Sequence, residues 1–192
     1  MVNLVMMFIA SMSVGQNDFS KEDIGSGRHG FSVNQHGKLV LAKSASWPDQ
    51  VEYADAREAL IDFLSEKGNV TELRESRRIT SVGRVPMKQH AGIGNHVAGD
   101  IHYTLVIENN GVEFNYWFTD LAYQPYHNDR YGKRIKATTK PIPLERQVSK
   151  INGKIWERQK RHAHDALNDL NEQLLQSLQW AGKSAVFHTG SR

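Results

Sequence analysis

The stretch Ile101-His102-Tyr103-Thr104-Leu105-Val106-Ile107-Glu108-Asn109-Asn110-Gly111-Val112-Glu113-Phe114-Asn115-Tyr116-Trp117-Phe118-Thr119 decides the fold. Ile101, Tyr103, Leu105 and Ile107 alternate with His102, Thr104, Val106 and Glu108. A period of two is the mark of a half-buried strand. After Asn109-Asn110-Gly111 the pattern resumes, with Val112, Phe114, Tyr116 and Phe118 alternating with Glu113, Asn115, Trp117 and Thr119. Asn-Gly suits a two-residue type I′ turn, because both central residues need positive φ. A turn at Asn110-Gly111 sets Ile107 opposite Phe114, Leu105 opposite Tyr116 and Tyr103 opposite Phe118. Those six side chains then share the core face. The other face carries His102, Thr104, Val106, Asn115, Trp117 and Thr119.

Upstream, residues 89–99 hold Gly92, Gly94 and Gly99 and read as a loop. Val70 to Lys88 reads as one or two half-exposed strands, with Gly83 and Pro86 arguing for a bulge or an edge. Before it, Pro48-Asp49-Gln50-Val51-Glu52 is a helix start in which Asp49 and Glu52 form a capping box. The helix it opens lines up Tyr53, Ala56, Leu60 and Leu64, with Phe63 beside them, and ends at Lys67-Gly68-Asn69. Lys38 to Ala42 reads as a first strand that extends toward Trp47.

Downstream, Tyr123 to Pro143 has no period and contains four helix or strand breakers: Pro125, Gly132, Pro141 and Pro143. It reads as a long loop. From about Ser149 to Trp180 a long helix carries Trp156, Ala163, Leu167, Leu170, Leu174 and Leu178 as its apolar stripe. The order is β-α-β(3–4)-α, an α+β fold with an antiparallel sheet and both helices on one face.

Leu4-Val5-Met6-Met7-Phe8-Ile9-Ala10 is too short to span a membrane, which takes about 20 apolar residues. With Ser11, Ser13 and Gly15 behind it, it suits a signal peptide, although no Lys or Arg precedes Leu4. The expected layout is a signal peptide at 1–15, a flexible leader at 16–36, one α+β domain at 37–180 and a tail at 181–192. No other apolar run reaches spanning length.

Several of these stretches resemble a family of secreted Bacteroidetes proteins, catalogued as a domain of unknown function with a TATA-box-binding-protein-like (TBP-like) fold. Gly37-Lys38-Leu39-Val40 is similar to its opening strand. Tyr53, Ala56 and Leu60 match the aromatic, small and apolar positions of its first helix. Ile101 to Ile107 resembles its Y-T-L-x-I strand. Phe114-Asn115-Tyr116 with Phe118-Thr119-Asp120 resembles its Y-x-Y-x-x-T-D strand. The match runs from Gly37 to Leu178. It implies export and a β-α-β(4)-α, TBP-like fold. It implies no activity, no catalytic residue being established for the family.

The chain has 192 residues, a net charge of +3 and no cysteine. Disulfides, thiolate metal sites and a cysteine nucleophile are thereby excluded. His162 and His164 lie two apart on a helix and so point to different faces, whereas a helical zinc pair needs four. His90 and His96 have no carboxylate nearby. No G-x-S-x-G elbow, Walker loop or dinucleotide fingerprint occurs. Asp100, Asp120 and Asp129 form no carboxylate pair by sequence, and Asp120 reads as a turn or cap residue. No catalytic residue, metal ligand or cofactor is expected.

Charge is unevenly spread. Between Arg130 and Arg161 eleven Lys or Arg face only Glu145 and Glu157, while residues 52–75 lean acidic. Two features stand out. One is the outer sheet face with Trp117 and His102, where an exposed tryptophan would contact a sugar, peptide or sheet. The other is the 123–143 segment, where Tyr126, Arg130, Tyr131, Lys133 and Arg134 interleave aromatics with cations. The function expected is a secreted or periplasmic, non-enzymatic binding module for a protein, glycan or envelope component. The alternatives are an envelope hydrolase, and a binder of anionic glycan, lipid or nucleic acid through 123–143. Export makes nucleic acid the least favoured of these.

Overall fold

The computed structural model describes residues 25–26, 30–47, 53–73, 77–90, 95–111 and 113–189. The expected signal peptide and the Pro48–Glu52 capping box lie outside them. The described elements are β1 (Gly25–Ser26), β2 (Ser32–Val33), β3 (Leu39–Ser46), α1 (Tyr53–Lys67), β4 (Gly68–Leu73) and β5 (Arg78–His90). After them come β6 (Asn95–Asn109), β7 (Glu113–Asn128), β8 (Arg134–Lys136), β9 (Ile142–Pro143) and α2 (Lys150–Thr189). The strands form one antiparallel sheet in the order β1-β2-β3-β7-β6-β5-β4, with β8 and β9 also paired to β7.

One face of this sheet makes the core. Ile101, Tyr103, Leu105 and Ile107 of β6 and Phe114, Tyr116 and Phe118 of β7 are buried, as the alternation requires. Ala56, Leu60 and Leu64 of α1 pack on them, together with Trp156, Ala163, Leu167, Leu170, Leu174 and Leu178 of α2. Each helix therefore buries one stripe, and both lie on the same face. Tyr53, expected on the α1 stripe, is exposed.

The hairpin differs from its expected register by two residues. Ile107 pairs with Tyr116 and Leu105 with Phe118. The asparagines explain the slip. Asn110 N–H donates to the Glu113 carbonyl at 3.1 Å, so Asn110 belongs to the ladder and the loop begins at Gly111. The Asn110 side chain accepts from Glu113 N–H at 3.0 Å, and that of Asn109 accepts from Gly111 N–H at 2.8 Å. Gly111 has φ +106°, and glycine in the first loop position is the type II′ pattern rather than the Asn-Gly one. A slip of two keeps every side chain on its face.

The segment Tyr123–Pro143 is not a long loop. β7 continues to Asn128 and is joined there by β8 and β9. A bulge hides this continuation. Thr104 pairs with Thr119 and His102 with Ala122, which leaves Asp120 and Leu121 opposite Tyr103. Asp120 takes φ +51° and its carboxylate pairs with Lys38. A left-handed first residue is a recognised bulge geometry, and aspartate tolerates that conformation better than most residues. The bulge shifts the phase of the strand, so Leu121 and Tyr123 return to the core.

Three further expectations are corrected. Residues 89–99 are largely strand, since β5 runs to His90 and β6 starts at Asn95. The leader is partly built into the sheet, because Ser32–Val33 pairs with β3 and Phe31 is buried against the core. The tail is helical as far as Thr189. Pro86 lies beyond the end of β4, where, among the described residues, one side of β5 has no strand partner, a position that suits proline. Gly83 serves close approach: a Cβ there would lie 2.5 Å from the Tyr103 hydroxyl oxygen.

Candidate functional site

The face of the sheet opposite the helices carries the even-numbered residues of β5 and β6. In register, Arg84 stands across from His102 and Pro86 from Asp100. On the other side of β6, Asp100 pairs with Gln124 of β7, which brings Tyr126 within reach. The Tyr126 hydroxyl donates to Asp100 Oδ2 at 2.6 Å, and the Arg84 guanidinium is 3.7 Å from the same oxygen. Tyr126 pairs in turn with Lys136 of β8. Arg84, Asp100, His102, Tyr126, Arg134 and Lys136 are thus gathered on one patch.

The electrostatics follow from this geometry. The Asp100 side chain is only 13% exposed and is held by one hydroxyl and one cation. Its bond to Tyr126 is the main reason the phenol is pushed above its ordinary pKa, with burial adding to it. His102 is held below its ordinary value of 6.5, chiefly by burial and further by Arg84 and Lys136, with Asp100 opposing. Its imidazole is therefore neutral at pH 7, and one carboxylate stands among Arg84, Arg134 and Lys136. The local balance is positive, which suits an anionic group.

A hairpin of precise construction extends the patch. Asp129 Oδ1 accepts from Tyr131 N–H at 2.8 Å and from Lys133 N–H at 2.9 Å, while its own N–H donates to the Lys133 carbonyl. Gly132 supplies the left-handed residue at φ +76°. This turn projects Arg130, Tyr131 and Lys133 into solvent. Tyr131 is 77% exposed, with the Arg130 guanidinium 4.7 Å from its ring centroid. Behind β8 the chain crosses the outer face: Ala137 N–H donates to the Pro125 carbonyl, and Gln124 Nε2 donates to the Thr138 carbonyl at 2.9 Å.

Of the residues singled out from sequence, His102, Tyr126 and Arg134 are brought together, and Arg130, Tyr131 and Lys133 sit at the adjoining tip. Trp117 is not an exposed contact. It is 6% exposed, packed with Val40 and Val106, and has the Arg78 guanidinium 5.8 Å from its ring. It also lies opposite Val106, four residues along β6 from His102. The Trp117 ring is thus closed in by its neighbours on that face. Sequence reasoning missed Arg84, which only the pairing of β5 with β6 places beside His102, and it weighed Asp100 only as a catalytic carboxylate, although the period of two sets Asp100 on the same face of β6 as His102. Among the described residues no helix is long and apolar enough to cross a membrane.

No family model matches the chain, and no curated protein matches it. Two solved structures are similar. A TBP-like protein from Parabacteroides distasonis has a TM-score of 0.50 at 14% identity, covering 78% of this chain and 95% of its own. A DUF4468 family protein from Bacteroides ovatus has a TM-score of 0.46 at 12% identity, covering 84% of this chain and 91% of its own. The first likeness shows the fold, which is TBP-like, as the resemblance in the sequence implies.

Proposed function

We propose that this protein is an exported, non-enzymatic binding module that takes an anionic group of an envelope component on its outer sheet face. The observation that carries the reading is the convergence of Arg84, Arg134 and Lys136 with His102 and Tyr126 around Asp100. Asp100 orients Arg84 and Tyr126, while the cations of β8 remain exposed for a ligand. Export is supported by the apolar run Leu4–Ala10 with small residues behind it. The proposed layout is a signal peptide at 1–15 and one domain from about Phe31 onward. Acidic glycans are the favoured class, because the Tyr131 ring adds a stacking surface beside the cations.

The test uses heparin as a model polyanion. Wild-type protein should bind it with an affinity that falls as salt rises. Replacing both Arg134 and Lys136 by Ala should weaken binding about tenfold or more, since bonds to charged groups are the strong ones. Lys43→Ala, on β3 away from the patch, should leave it within error. Equal losses from both changes would mean that only net charge is being read. N-terminal sequencing of protein from its native cell should find a start between Val14 and Asn17, and an intact Met1 would refute export.

A further inference from the structure

The start of α2 exposes apolar side chains among cations. Ile151 is 90% exposed and Ile155 is 51% exposed, and Val148 just before the helix is open as well. Ile151 and Ile155 are four apart and share a helix face, while Trp156 turns inward and donates to the Leu144 carbonyl at 3.2 Å. Lys150, Lys154 and Arg158, all exposed, surround this ridge. Arg146 stands across an open groove of about 490 Å³ whose apolar wall is Ile142, Val148, Ile155 and Trp156. The neighbouring carboxylate Glu157 is engaged by Lys160 at 3.1 Å. Single exposed apolar residues need no explanation. Here three lie in one short stretch inside a ring of positive charge, and that combination marks a helix made for a charged interface.

We infer that this ridge docks the protein on the surface of an anionic bilayer. Ile151, Ile155 and Val148 enter the boundary between headgroups and acyl chains, and Arg146, Lys150, Lys154 and Arg158 meet lipid phosphates. Charge complementarity names the surface as anionic. The shape of the ridge names it as a bilayer, because protruding side chains need a medium that yields around them, whereas a folded partner must supply a matching socket. Neither part suffices alone: weak apolar insertion and a basic patch anchor a protein only in combination. No described helix is apolar enough to cross the bilayer, so the attachment is peripheral. Since α2 lies on the other side of the sheet from the Asp100 patch, the inference does not rest on that site.

The test is co-sedimentation of the full chain with vesicles of phosphatidylcholine and phosphatidylglycerol in equal parts, against phosphatidylcholine alone. Binding should need the anionic lipid and fall with salt. Lys150→Glu and Lys154→Glu should each lower it by about fivefold or more. Ile151→Asp should lower it on a similar scale with an unchanged melting temperature, because the side chain is 90% exposed. In an otherwise wild-type chain, Ile151→Trp should show a blue-shifted emission component on the mixed vesicles only, the signature of insertion. Vesicle binding that survives Ile151→Asp but is lost with Arg134→Ala and Lys136→Ala would overturn the inference and move the lipid contact to the outer face. Absence of vesicle binding, with capture of an acidic amphipathic peptide by the same ridge, would overturn it in favour of a protein partner.

Discussion

His102 is the titratable centre of the outer patch, and its two roles carry opposite pH signs. Its folded pKa is depressed, so the unfolded chain takes up the proton first as pH falls. The stability it contributes is whole above 6.5, its ordinary value, and declines as pH drops below that. Anion binding runs the other way, because a charged imidazole adds to Arg84, Arg134 and Lys136. Heparin affinity should therefore rise as pH is lowered through the region below 6.5, and His102→Gln should flatten the rise. A wild-type profile that is already flat there would place the ligand away from His102. Two core tyrosines give a second contrast. Burial pushes both Tyr103 and Tyr116 up to about 12, yet only Tyr116 has a partner, its hydroxyl donating to Asn171 Oδ1 on α2. Tyr103 finds none among the described residues and lies over Gly83. Tyr116→Phe should cost about 1–3 kcal/mol, because it leaves the buried amide unsatisfied, whereas Tyr103→Phe should be neutral or stabilising. Urea melts of the two variants check this, and equal costs would contradict the pairing.

The hairpin β6–β7 sets the two faces on which everything else is placed. Leu105→Ala removes a buried side chain and should cost about 2–5 kcal/mol. Thr104→Ala, half-buried on the other face, should cost about 1 kcal/mol or less. Denaturant melts in which Thr104→Ala is as damaging as Leu105→Ala would mean that the outer face is fully packed, with no room for a ligand. Most of this element was legible because side-chain period and burial obey the same rule. Its register was not, since an Asn-Gly pair identifies a turn but two asparagines allow two loop centres. The second half of β7 was illegible for a different reason. The bulge at Asp120 exchanges even for odd core positions, and a strand that changes phase reads as no strand at all. Asp120→Val should be among the more damaging surface changes, because a β-branched residue resists φ near +51° and the pair with Lys38 is lost.

Across the whole molecule, the helices take one face of the sheet and leave the other to the 137–140 crossing and the charged patch. Sequence marked the basic hairpin and His102 separately, because each is a local feature. It could not join them, since Arg84, Asp100 and Tyr126 come from three strands whose neighbourhood is set by pairing rather than by spacing. It also misplaced Trp117: an outward position on a strand is not exposure when Val40, Val106 and an arginine close over the ring. The proposed ligand site is the Asp100-centred patch. The direct measurement is a nuclear magnetic resonance titration of labelled full chain with a short heparin oligosaccharide. Shifts should saturate and concentrate at Arg84, Asp100, His102, Tyr126, Arg134 and Lys136, with the His102 ring signals moving toward the protonated form. Saturating shifts that spare these residues and gather elsewhere would contradict that placement.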